Sequence, residues 1–69
     1  MDREPVSSSN VESVGYDEDS QTLEVEFKNG ALYQYFDVPQ VLYHGLMAAD
    51  STGSYLAENI KGVYRYSRV

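Results

Sequence analysis

Sixty-nine residues with 42% hydrophobic side chains suit one small domain: apolar enough to fold, with little room for an enclosed active site beside its core. The absence of cysteine excludes disulfides and thiolate metal sites. A net charge of −6 opposes non-specific attraction to nucleic acid or anionic lipid, but residues 61–69 carry Lys61, Arg65 and Arg68 without a single acid.

Residues 1–9 are polar around Pro5 and Ser7-Ser8-Ser9 and are expected to form a flexible arm ahead of a single domain over residues 10–69. They hold no apolar run resembling a signal peptide, and no segment approaches the roughly 20 apolar residues of a membrane span. The expected location is therefore cytoplasmic, with no membrane partner.

Val11 to Tyr16 is a candidate first strand, closed by the polar turn Asp17-Glu18-Asp19-Ser20. Leu23, Val25 and Phe27 then alternate with Thr22, Glu24, Glu26 and Lys28, the pattern of a half-buried strand. Asn29-Gly30 follows as a hairpin signal, and Ala31 to Phe36 forms the third strand. A two-residue turn would set Gln34 against Val25 in the core. A three-residue loop with Gly30 as a bulge shifts the register by one, pairs Tyr33 with Val25 and Tyr35 with Leu23, and sends Gln34 out among the glutamates. The second register leaves no polar side chain opposed to an apolar one and is the one expected. It buries Tyr33 and Tyr35 but leaves Leu32 and Phe36 needing cover.

Pro39 suits the opening of a helix, and Val38, Leu42, Leu46 and Ala49 recur at helical spacing. Gly45 inside that helix permits close packing. Asp50 or Ser51 is placed to cap a second helix carrying Tyr55, Leu56 and Ile60, which Gly62 ends. Val63 to Arg68 alternates again. The pattern predicts an α+β fold: a three-stranded antiparallel β-meander with two helices on one face and a short C-terminal strand.

Several of these stretches are familiar in order. Val6-Ser7-Ser8-Ser9-Asn10-Val11, Gly15-Tyr16-Asp17, Asn29-Gly30, Tyr33-Gln34-Tyr35-Phe36-Asp37-Val38-Pro39 and Ala49-Asp50-Ser51-Thr52-Gly53-Ser54-Tyr55 together resemble the KTSC family. That family is named for a domain at the C-terminus of some lysyl-tRNA synthetases and also occurs as free-standing bacterial and phage proteins. The resemblance spans about residues 6–66. It implies a small domain for which RNA binding has been suggested by association with the synthetase. Among the matching positions, Tyr33, Tyr35, Pro39 and Tyr55 read as structural.

The residues themselves supply no catalytic, cofactor or metal motif. His44 is the only histidine and falls mid-helix, away from Leu42 and Leu46. Glu24 and Glu26 share a strand face, read as solvated surface with Lys28 beside them. An EF-hand loop begun at Asp17 would need Gly and Glu where Thr22 and Lys28 stand. No Gly-rich phosphate loop is present. The seven tyrosines carry the most information, because a ring can be buried while its hydroxyl reaches water. Rings and cations interleave without acids in Tyr64-Arg65-Tyr66-Ser67-Arg68. With Lys61, this segment is the candidate contact for single-stranded RNA or tRNA through stacking and phosphate pairing. The alternative is an acidic protein–protein interaction module, a regulator or inhibitor with a protein partner.

Overall fold

The alternation of Leu23, Val25 and Phe27 with Glu24 and Glu26 builds the central strand of a five-stranded antiparallel sheet. In the computed structural model, which describes residues 1–69, the chain runs β1 (Arg3–Pro5), β2 (Val11–Asp17), β3 (Thr22–Phe27), β4 (Leu32–Tyr35), α1 (Gln40–Ala48), α2 (Thr52–Asn59) and β5 (Tyr66–Arg68). The strands lie in chain order across the sheet, every neighbouring pair antiparallel.

The β3–β4 hairpin takes the bulged register. Phe27 N–H donates to the Ala31 carbonyl at 2.8 Å and Gly30 N–H to the Phe27 carbonyl at 2.9 Å, so Lys28, Asn29 and Gly30 form the loop. Gly30 has φ +91°, a conformation that glycine adopts without penalty. Val25 therefore faces Tyr33, Leu23 faces Tyr35, and Glu24 faces Gln34. Phe36 finds its cover from the C-terminal segment: its N–H donates to the Arg65 carbonyl, and the Arg65 guanidinium lies 5.7 Å from its ring centre.

The sheet is wider than the three-stranded meander expected with its C-terminal strand, because the N-terminal arm supplies β1. Arg3, Glu4 and Pro5 pair with Gly15, Val14 and Ser13 of β2. All three residues are exposed, so no apolar alternation marks this strand in the sequence. Its anchor is polar. Arg3 crosses β2 at Gly15, where a Cβ would meet the Arg3 side chain at 2.9 Å, and reaches Glu24 on β3. Pro5, lacking an N–H, is tolerated because β1 is an edge strand.

The core lies between the other sheet face and the helices, joining Val11, Val14, Leu23, Val25 and Tyr35 to Val38, Leu46, Leu56 and Ile60. Pro39 takes the N-cap position of α1 rather than the first helical position expected of it, and Ser51 caps α2, its Oγ accepting from Ser54 N–H at 3.2 Å. Gly45 serves helix–helix packing: a Cβ there would lie 2.1 Å from the Tyr55 hydroxyl and 2.7 Å from its ring. Tyr16 stacks on Tyr43 with centroids 4.8 Å apart and donates its hydroxyl to the Val38 carbonyl, tying β2 to the entrance of α1. No helix is long and apolar enough to cross a membrane.

Candidate functional site

Two polar or aromatic surfaces follow from this placement. The first is the outer sheet face, where the row Arg3, Gly15, Glu24, Gln34, Ser67 spans all five strands. Glu24, expected to be solvated surface, is instead buried. Arg3 Nη1 and Gln34 Nε2 donate to its two carboxylate oxygens at 2.5 and 2.9 Å, while Arg3 Nε donates to Ser13 Oγ at 3.0 Å. Ser13 in turn donates to Glu26 Oε1 at 2.9 Å. Burial pushes the Glu24 carboxyl up, but the bonds from Gln34 and Arg3 and the guanidinium charge together outweigh it and hold it below the usual carboxylate range. Every buried polar side-chain atom has a partner. Fully paired groups of this kind hold a fold together and leave nothing to do chemistry.

The second surface is a cleft of about 720 Å³ on the core side, at the β4–β5 end beyond the C-terminus of α2. Its floor is aromatic. Tyr33 sits between Phe27 (edge-on, 5.6 Å), Tyr35 (6.3 Å) and Tyr66 (5.5 Å, 25° between planes). The alternation of β3 puts Phe27 there, the bulged hairpin brings Tyr33 and Tyr35, and pairing of Tyr35 with Tyr66 adds the last ring. Tyr35 is 2% exposed and closes the core, whereas Tyr66 is 61% exposed and offers its ring to solvent. Burial, then the neighbouring Tyr33 and Tyr66, push the Tyr35 hydroxyl above its ordinary pKa, so it stays neutral at physiological pH.

The cleft rim is cationic. Lys61 Nζ lies 5.0 Å from the Phe27 ring centre and the Arg68 guanidinium 5.9 Å from that of Tyr33, with Lys28 at the hairpin end. Of the five basic residues, Arg3 and Arg65 are held by carboxylates, while Lys28, Lys61 and Arg68 make no ion pair. All three line this cleft, and no Asp or Glu does.

The structure thus divides the expected C-terminal contact. Lys61, Tyr66 and Arg68 come together, joined by Tyr33 and Tyr35. Arg65 lies apart, paired with Asp37 at 2.8 Å and stacked over Phe36, and Tyr64 packs half-buried against the core. The turn at Gly62, with φ +77°, precedes a bend that takes Tyr64 out of the strand, so the i, i+2 spacing of Tyr64 and Tyr66 does not place them side by side. Pro39 and Tyr55 sit at the helix entrance and the helix–helix contact, away from the cleft. Sequence reasoning missed Phe27, Lys28, Asn10 and Asn29 as cleft residues. The alternation did mark Phe27 for the core face; its place beyond the end of α2 requires the helix positions. His44 is exposed on α1, and no three His, Asp or Glu side chains group to hold a metal.

A family model for the KTSC domain matches residues 7–69. The crystal structure of a KTSC domain protein from Yersinia pestis superposes with a TM-score of 0.93 at 39% identity, covering 99% of this chain and 96% of that one. An uncharacterised protein of Stutzerimonas stutzeri is 44% identical over 70 residues, covering all of this chain and 99% of its own. A lysine–tRNA ligase from Nostoc is 36% identical over 59 residues, which are 86% of this chain and 10% of the ligase.

Proposed function

The chain belongs to the KTSC domain family, and from that premise we propose that it is a non-enzymatic module that holds single-stranded RNA, tRNA included, in the cleft of Phe27, Tyr33, Tyr35 and Tyr66. One observation carries the reading. In a chain of net charge −6, every cation free of an ion pair borders the same aromatic cleft, and no carboxylate does. Exposed aromatic faces beside unpaired cations suit a ligand with flat rings on an anionic backbone. Tyr66 supplies the stacking surface, with Tyr33 behind it, and Lys28, Lys61 and Arg68 meet phosphates. Arg65, held by Asp37, takes no part. The likeness to a stretch of a lysine–tRNA ligase, a protein whose name ties it to RNA, supports the same reading.

Titration of labelled single-stranded RNA at low and physiological salt tests it. Each phosphate contact on a single strand contributes a slope of about 0.7 in log affinity against log salt, so three cations give at most about two. The Lys61→Ala/Arg68→Ala variant should lose most low-salt binding and flatten the slope, while Arg65→Ala binds as the parent does. Absence of low-salt binding, or a double variant equal to the parent, would refute the proposal; a basic protein meeting the acidic remainder of the surface would then be the partner to seek.

A further inference from the structure

The polar side chains around the cleft are biased in one chemical direction. Lys28, Lys61 and Arg68 can only donate hydrogen bonds. Asn10 and Asn29 also line the cleft, and the chain itself fixes how each amide is turned. Asn29 Oδ1 accepts from the Ala31 backbone N–H at 3.0 Å, which only an oxygen can do. Ser8 Oγ accepts from the backbone N–H of Asn10 and of Val11, at 3.3 and 3.2 Å, so its own proton goes to Asn10 Oδ1 at 3.1 Å. In both residues the carbonyl end is engaged within the chain and the Nδ2 donor is the free end. Apart from hydroxyls, which can turn either way, the cleft then presents side-chain donors alone.

Resting on the RNA reading above, we infer that the cleft selects bases by their acceptors, and that Asn10 and Asn29 are the specificity-determining residues, favouring uracil over adenine. Uracil offers two carbonyl oxygens to these donors. Adenine can accept at N1, N3 or N7, but on the two edges that carry N1 and N7 its exocyclic amino group stands alongside and meets a second donor, donor against donor, as cytosine's does beside N3. Stacking alone works the other way, since adenine has the larger ring system. The two causes therefore predict opposite orders of affinity.

The test is fluorescence anisotropy of the full chain with labelled six-nucleotide oligouridine, oligocytidine and oligoadenosine at low salt. The expected order is uridine, cytidine, adenosine, with uridine ahead of adenosine by at least about five-fold, the lower end of what one well-placed pair of base contacts discriminates. Asn29→Asp keeps the acceptor for Ala31 N–H and replaces the free donor by an acceptor; Asn10→Asp does the same beside Ser8. Each added charge weakens all three oligomers, and the expected readout is the ratio: uridine over adenosine falls to one or below. Lys61→Ala lowers both affinities and leaves the ratio intact. Equal binding of uridine and adenosine, adenosine ahead, or a ratio unmoved in both Asp variants overturns this inference while RNA binding itself stands. If no oligomer binds, the RNA reading fails and the inference with it.

Discussion

Replacing Arg3 by alanine removes the one cation that reaches the buried Glu24 carboxylate. The Glu24 side chain is 9% exposed and that of Arg3 29%. Breaking a fully buried pair costs about 3–5 kcal/mol and an exposed one about 0–1, so this pair, buried at one end and wetted at the other, falls near 2 kcal/mol. In a domain stabilised by only a few kcal/mol, that is a large fraction. With a urea slope of about 1 kcal/mol/M for so small a chain, the unfolding midpoint should fall by about 2 M. The effect depends on pH with a definite sign. Glu24 titrates lower in the folded protein than its ordinary 4.5, so its contribution is present above about that pH and is lost as pH falls through the folded value. The penalty of Arg3→Ala should therefore shrink on acidification. In the variant the carboxyl loses the hydrogen bond and the charge of the guanidinium, both of which hold it down, so its titration, followed by NMR, should move up. A urea midpoint unchanged at neutral pH, or a penalty of the same size when Glu24 is protonated, would refute the assignment of Arg3 as the anchor of β1.

Three further outcomes follow from the packing. Gly45→Ala gains up to about 1 kcal/mol of helix propensity but forces Tyr55 off α1; a net loss in thermal unfolding is expected, and Gly45→Ala combined with Tyr55→Ala should recover part of it. Tyr35 and Tyr16 titrate above their ordinary 10.0 in the folded protein, Tyr35 chiefly through burial, so their contribution is whole below pH 10 and drains away as pH rises through the folded values. Tyr35→Phe should accordingly flatten the alkaline fall in stability measured by circular dichroism. Ser51→Ala removes the cap of α2 and should cost about 1 kcal/mol in urea unfolding.

What the sequence discloses and what it hides divide along the kind of force involved. The β3–β4 register was legible because one slip would have buried Gln34 against Val25, and the chain cannot absorb that cost. The ends of α2 were legible because only certain side chains and backbone angles end a helix: of Asp50 and Ser51 it is Ser51 that caps, and Gly62 takes its positive φ two residues past the C-cap Ile60. The strand β1 was not, since Arg3-Glu4-Pro5 carries no apolar period and its anchor lies 21 residues away at Glu24. The same deception touched Glu24, whose alternation marks an outward face but not the arginine laid over it. Of the basic, aromatic segment that local composition singled out, Lys61, Tyr66 and Arg68 border the cleft. Arg65 lies apart from them, because a cation in a basic run still pairs with whatever acid the fold brings near, here Asp37. Asn29 signalled only the hairpin and Asn10 nothing of the cleft: their amides are ordinary turn residues until hydrogen bonds fix which end is free.

The chain enters the sheet at one edge and leaves it at the other, because the strands are laid down in sequence order. Four strand spacings of about 4.8 Å put roughly 19 Å between the two edges. A polypeptide tethered ahead of β1 would emerge on the far side of the sheet from Tyr66 and Arg68, leaving the cleft mouth unobstructed. One tethered after Val69 would begin beside the cleft and cross its approach. A domain with this topology can be hung from the end of a larger protein by its first strand and keep its aromatic end facing outward, whereas the reverse attachment would place the host over it.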